Sequence, residues 1–289
     1  MVVLLMDFMN KMMYLTYSMR IALWTVILLI WVGVSETSAQ TVFQPKPIEQ
    51  NFKGVVYDFE TLYEGRIHTQ GFAIGFKKGK LKTYDRTTYQ NFEFGYIKDQ
   101  REQRTNRNLV IGGERISSPF IFGKANELFT FRYSYGVKRF LSEKTRRRGL
   151  AVALIYEGGA TLGILKPYSV QVIRTEPDDP TQQFLETITF SEEVRDQFLD
   201  ERILYGGASF FDGLGSITPS VGLHGKVGMQ WALGAFDQKE KAFETGVMLD
   251  VFPRKIPLLI EQEGISNSFY FAKLYISFVF GTRKRIGEE

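Results

Sequence analysis

Two histidines, His68 and His224, and no cysteine make up the inventory from which any catalytic reading of this 289-residue chain must start. Without a thiol there is no cysteine nucleophile, no Cys-ligated zinc and no disulfide framework. A hydrolase would pair a histidine with a carboxylate or a serine, and Asp212, Ser220 and Asp250 are the residues such a site would draw on around His224. No Gly-x-Ser-x-Gly segment accompanies them, and a single histidine on the charged face of a strand is more often a hydrogen-bond network member than a base. No catalytic residue is expected. Two distant histidines give no metal-ligand spacing, and the acidic group Glu176, Asp178 and Asp179 lacks the repeat of a calcium loop. No metal and no cofactor are expected. The basic run Lys144, Arg146, Arg147 and Arg148 is more suggestive, since neighbouring guanidinium groups grip phosphate bidentately; a solvated hairpin turn is the plainer reading, and both stay open.

The elements that must position these groups are strands. A chain with 25 Phe, 14 Tyr and 27 Gly suits aromatic-rich strands with tight turns. From Ser268 to Phe280 the alternation is complete: Tyr270, Ala272, Leu274, Ile276, Phe278 and Phe280 share one face, and Lys273 lies on the other. The pattern recurs in Leu223 to Phe236, Phe243 to Phe252 and Glu127 to Lys138, where apolar faces are backed by His224 and Lys226, by Glu244 and Asp250, and by Arg132 and Lys138. Shorter alternations run through Phe72, Ile74 and Phe76, through Phe92, Phe94 and Tyr96 around Glu93, through Leu150 to Tyr156, and through Tyr168 to Val172. That makes eight candidate strands. The expected fold is all-β, a closed antiparallel transmembrane β-barrel whose apolar faces meet lipid. Its lumen, at eight strands only wide enough for side chains, would hold a network of Glu93, Arg132, Glu157, His224, Lys226, Glu244, Asp250 and Lys273.

Residues 21 to 34 are an uncharged run preceded by Arg20 and followed by Ser35-Glu36-Thr37-Ser38-Ala39. These are the three regions of a signal peptide, too short for a membrane-spanning helix. The expected organisation is a signal peptide at 1–39, with 1–18 upstream of a start at Met19, a periplasmic segment at 40–65, the barrel at 66–280 and a tail at 281–289. With the last strand descending to the periplasm, Glu143 to Arg148 and the long Glu176 to Ser216 segment fall outside, and Gly163 to Pro167 inside. Two stretches strain this scheme. Arg101 to Asn126 would be a very long periplasmic connection, and Pro45 to Glu64 either adds a strand or covers the mouth. In the long loop, Ser191 to Leu199 is expected to form a short amphipathic helix seeking a partner, and Gly206 to Gly215 a compact loop with its two aromatics tucked inward. A soluble barrel or sandwich is the competing fold, but it would have to bury more than twenty strand-borne aromatics in one interior. The net charge of +4 is interleaved rather than gathered on a face, which disfavours nucleic-acid binding.

The signal peptide ending SAQ, the alternating strands and the closing FYFAKLYISFVF resemble the small outer-membrane β-barrel proteins of Gram-negative bacteria, the OmpA/OmpX-like barrel class. The resemblance implies a place in the outer membrane, and recognition of Tyr270, Leu274, Ile276, Phe278 and Phe280 by the barrel-assembly machinery during biogenesis. Many such proteins stop at the terminal aromatic, whereas nine residues follow Phe280 here. The resemblance implies no activity. The expected role is a non-enzymatic structural or accessory component. It would engage a partner protein in an outer-membrane complex, or lipid and lipopolysaccharide, the latter through Lys144 and Arg146–Arg148 if that turn lies outside. The alternatives are a narrow transport or small-ligand-binding barrel and, third, an outer-membrane hydrolase.

Overall fold

The structure, a computed structural model, describes residues 57–285 apart from 84, 109, 112–114, 142–149, 177–181 and 234–237. The signal-peptide assignment, the basic run Lys144 to Arg148 and the acids Asp178 and Asp179 lie outside the described residues. Eight long antiparallel strands form a closed barrel: β1 (Phe59–His68), β2 (Gly71–Leu81), β3 (Arg86–Ile97), β4 (Asn126–Phe140), β5 (Leu150–Pro167), β6 (Thr218–Leu233), β7 (Lys239–Val251) and β8 (Tyr270–Lys284). Each pairs with its neighbour in sequence, and β1 closes the sheet on β8 from Phe59 opposite Lys284 to His68 opposite Tyr275.

Seven of the eight predicted strands lie in the barrel, and the exception explains the strain noted above. Tyr168 to Val172 belongs instead to a small sheet outside it, and its place is taken by Phe59–His68, which begins in the segment 40–65 first assigned to the periplasm, where an added strand was one of two alternatives. Adding a strand at the front and removing one from the middle reverses the connections between. The long connections 98–125, 168–217 and 252–269 now leave one rim, called upper here, with the two-residue hairpin Thr69-Gln70. The opposite, lower rim carries the shorter connections and the outer ends of β1 and β8. Gly163 to Pro167, expected to be a turn, is the upper end of β5, and the strand ends Phe140 and Leu150 that flank the basic run belong to the lower rim. The barrel also runs past its expected end: Gly281–Lys284 extend β8 rather than forming a tail, because the early strand β1 pairs with them.

At the upper rim the long connections fold on themselves. Ser169–Thr175 is the middle strand of a three-stranded sheet between Gln183–Thr189 and Leu204–Gly207. The helical turns Glu192–Val194 and Arg195–Leu199 fall where an amphipathic helix was expected. Their apolar stripe meets this sheet, with buried Phe198 against Val170, Val172, Ile188 and Leu204. Within the chain the stripe thus packs on its own loop, joined by Phe120, Ala125 and Ile260 of the neighbouring connections. A second cluster seals the barrel mouth: Phe252, Ile256 and Leu258 of the last connection pack on Ile97, Leu128, Leu165 and Phe271. Asn267 holds that connection in place, its Oδ1 accepting from the Leu258 and Leu259 amides at 3.1 Å each and its Nδ2 donating to the Leu259 carbonyl at 2.8 Å.

Two glycines are required by geometry. Gly71 closes the upper hairpin at φ +143°, and a Cβ there would sit 2.1 Å from the Tyr96 carbonyl oxygen. Gly71→Ala is expected to cost about 1–3 kcal/mol in urea unfolding, the usual penalty for a side chain forced into such a backbone. Gly136 faces the lumen, where a Cβ would come within 2.5 Å of the Tyr89 ring. The missing side chain lets that ring pass over β4 to reach Glu157 on β5.

Candidate functional site

Along every barrel strand the buried positions are those that point inward, and they carry the charges. All eight predicted lumen residues are buried, and the structure joins them in one network. Asp250 is its upper hub. Its Oδ1 accepts from Arg132 Nε at 2.9 Å and Thr161 Oγ1 at 3.0 Å, and lies 2.9 Å from His224 Nδ1. Its Oδ2 accepts from Arg132 Nη2 at 2.8 Å and from the Lys273 ammonium. Glu93 links Arg132 to Arg66. In the middle, Glu64 binds Arg66 at 2.6 Å and Lys77 at 2.7 Å, and Lys77 reaches Glu244 at 3.1 Å. Lys226 lies 3.2 Å from Glu157 and 3.1 Å from Glu244, contacts close enough for ion pairing though not aligned as hydrogen bonds. Tyr89 donates to Glu157 at 2.9 Å and Tyr275 to Glu244 at 2.7 Å. Near the lower rim, Lys138 bridges Glu60 at 2.8 Å and Glu240 at 3.0 Å, Arg283 contacts both, and Gln230 donates to Glu240.

The carboxylates of Glu60, Glu64, Glu93, Glu157, Glu240, Glu244 and Asp250 are matched one for one by Arg66, Lys77, Arg132, Lys138, Lys226, Lys273 and Arg283. Such a balance lets charges persist away from water, where an unpaired one would be prohibitive. Sequence reading missed about half of this set. Glu60, Glu64 and Arg66 lie on the unassigned strand, Lys77 in a lysine-rich stretch, Glu240 in a presumed turn and Arg283 in a presumed tail. The signal was there in part: Glu60, Leu62, Glu64, Arg66 and His68 alternate with Phe59, Tyr63 and Ile67.

The histidines do not build a catalytic centre. The His224 side chain is fully enclosed between Asp250 and Glu157, while Asp212 instead accepts from the Ser209 amide in the upper loops. His68 Nδ1 accepts from the Gln70 amide at 3.2 Å, capping the upper hairpin. The Gly206–Gly215 stretch also departs from expectation, because Phe210 and Phe211 are 54% and 74% exposed rather than tucked in. Phe210 meets the outward face of Phe129 edge-on at 5.9 Å, so the loop hangs over the outside of the barrel.

The upper loops hold one further buried charge. Lys124 donates to Tyr96 Oη at 2.9 Å and Glu102 Oε2 at 2.7 Å. Burial opposes its charged form, but Tyr96 and Glu102 outweigh that and hold its pKa above the ordinary lysine value.

No family model matches the chain. No curated protein matches it either. Among solved structures it is similar to the N-terminal β-barrel domain of Pseudomonas aeruginosa OprF at 11% identity, over 78% of this chain and 98% of that one, with a TM-score of 0.27. The membrane assignment rests on the barrel's own surface. Midway along the strands the exposed outward positions are mostly apolar or aromatic, among them Ile67, Ile74, Tyr133, Leu162, Leu223, Val247 and Leu274. Soluble proteins do not carry a continuous apolar girdle of this kind. An exterior whose charges are confined to the strand ends, around a charged, hydrogen-bonded interior, is the inversion expected of a β-barrel that crosses a bilayer. The strands, of 10 to 18 residues, are long enough for a tilted crossing. Tyr270, Leu274, Ile276, Phe278 and Phe280 all lie on this outer face of β8.

Proposed function

We propose that this protein is a non-enzymatic outer-membrane barrel that anchors a folded loop assembly at the cell surface, where that assembly engages a partner protein. The observation that carries this reading is a lumen filled by paired charges beneath an apolar seal, together with a loop assembly that has its own core. A filled lumen leaves the barrel as a rigid anchor, and the loops as the part that meets other molecules. Three long connections leave one rim and none of comparable length the other, as on the outer and periplasmic sides of bacterial barrels. This favours placing the lower rim in the periplasm. The lipopolysaccharide role expected of Lys144 and Arg146–Arg148 is not retained, since their flanking strands end at that rim. Outward exposure of Tyr270, Leu274, Ile276, Phe278 and Phe280 supports their reading by assembly machinery.

The same observation argues against the narrow-transport alternative. In planar bilayers the purified protein is expected to give no ion conductance above background, and steady channels at neutral pH would overturn the filled-lumen reading. For the partner itself, recovery of one stoichiometric protein after mild cross-linking of outer-membrane vesicles is expected, with loss of that species when 183–207 is replaced by a short Gly-Ser linker. An unchanged cross-linked species in a variant that still folds would reject the loop assembly as the binding element.

A further inference from the structure

The two rims of the barrel differ in how their charges are compensated. At the upper rim and in its loops, acids and bases pair with each other: Asp99 with Arg101, Glu102 with Lys124, Glu127 with Lys166, Arg174 with Glu186 and Asp200 with Arg202. At the lower rim the outward positions that continue the apolar girdle are basic. Lys78 and Lys80 follow Ile74 and Phe76 on β2, Lys241 and Lys239 lie below Phe243 on β7, and Lys284 lies below Phe280 on β8. Arg86 on β3 and Arg139 on β4 are direct cross-strand partners. All seven are exposed. Among the described residues only Arg139 has an ion pair, a loose one to Asp85 at 3.8 Å. Outside the lumen, the other described acid of this rim is Asp58, at the entry to β1, and it has an interaction partner of its own.

Like charges directly opposite each other on a sheet destabilise it unless a counter-charge lies between. Asp85 is such a counter-charge for Arg86 and Arg139, whereas none of the described residues forms an ion pair with Lys78, Lys80, Lys239, Lys241 or Lys284. Because these side chains occupy the lipid-facing register, where long basic side chains snorkel toward the membrane surface, the missing counter-charge is placed where headgroups lie. We propose that the lower rim is a collar for anionic glycerophospholipids, whose phosphodiester groups bridge neighbouring lysines and arginines while their chains lie on the girdle above. The proposal rests on the membrane-spanning reading and not on the identity of any partner.

The test is lipid selectivity in reconstituted bilayers. The full-length protein is placed in phosphatidylcholine vesicles with trace spin-labelled phosphatidylglycerol or phosphatidylcholine, and the motionally restricted fraction of each label is compared. One basic contact at a membrane surface corresponds to a preference of about fivefold, so phosphatidylglycerol is expected to be held about fivefold more strongly, falling toward parity in 1 M salt. The quadruple variant Lys78→Gln, Lys80→Gln, Lys239→Gln, Lys241→Gln should lose most of that preference. The upper-rim variant Arg254→Gln, Lys255→Gln should keep it. Heat-modifiable gel mobility confirms that each variant is a folded barrel. Equal association of the two lipids with a folded, inserted wild type, or an undiminished preference in the folded quadruple variant, overturns the collar while leaving the barrel reading intact. Failure of the wild type to insert at all overturns both.

Discussion

Asp250→Ala is expected to lower the stability of the barrel by about 3–5 kcal/mol, the usual result of removing one partner from a buried ion pair. The loss has a specific origin. Asp250 receives Arg132, Lys273, Thr161 and His224 in one enclosed volume. Without it, Arg132 keeps Glu93, but Lys273 retains no carboxylate at ion-pair distance. Two further variants separate charge from shape. Asp250→Asn keeps the size and part of the hydrogen bonding, so its loss should be smaller. Adding Lys273→Met to Asp250→Ala removes the stranded ammonium and should restore part of the stability. Urea unfolding in lipid vesicles, followed by the gel shift of the folded barrel, measures all three. An Asp250→Ala barrel as stable as wild type would mean that water reaches Lys273 and that the lumen is not closed around the network.

Val227→Arg is expected to destabilise the inserted barrel by about 2–4 kcal/mol, the range for a basic side chain on the lipid face near the bilayer midplane. Val227 lies midway along β6, opposite Tyr156 on one side and Val247 on the other, and is 55% exposed. In a soluble barrel an arginine at so exposed a position would change stability by no more than about 0.5 kcal/mol. The sign and size of this one substitution thus distinguish lipid from water as the solvent of the outer face. Unfolding midpoints in thick and thin bilayers should diverge for the variant, because thinner membranes let the guanidinium reach the surface.

Sequence alone revealed the two-sided character of most strands, since every second residue is apolar or aromatic from Phe129 to Val137 and from Tyr270 to Phe280. It also revealed about half of the charges that share the lumen, because a period of two assigns each residue to a face before any partner is known. It did not reveal β1. There Gly65 and Thr61 interrupt the outward apolar series and Leu62 the inward polar one, which weakens the contrast on which the alternation depends. That single omission set the parity of every connection up to the small upper sheet, which is why the long 98–125 connection was assigned to the rim opposite the other long connections and the charges of β1 were left out. Pairing across the lumen was equally hidden. Lys138 and Glu240, or Lys77 and Glu244, meet only because the sheet closes, and no local pattern carries closure. The loop assembly shows the reverse case: the helix at Arg195–Leu199 was legible from its spacing, whereas its docking surface was not.

The most direct test of the inside-out barrel uses Trp231, which lies on the outer face of β6 stacked on Phe243 with ring centroids 4.7 Å apart. The other two tryptophans are Trp24 and Trp31, so Trp24→Phe with Trp31→Phe leaves it as the sole tryptophan. Reconstituted in phosphatidylcholine with brominated acyl chains, this protein should show strong quenching of Trp231, stronger for bromine near the headgroup than near the chain end, because Trp231 lies close to the lower rim. Emission unaffected by brominated lipid but readily quenched by aqueous iodide would place the outer face in water and contradict the membrane-spanning barrel.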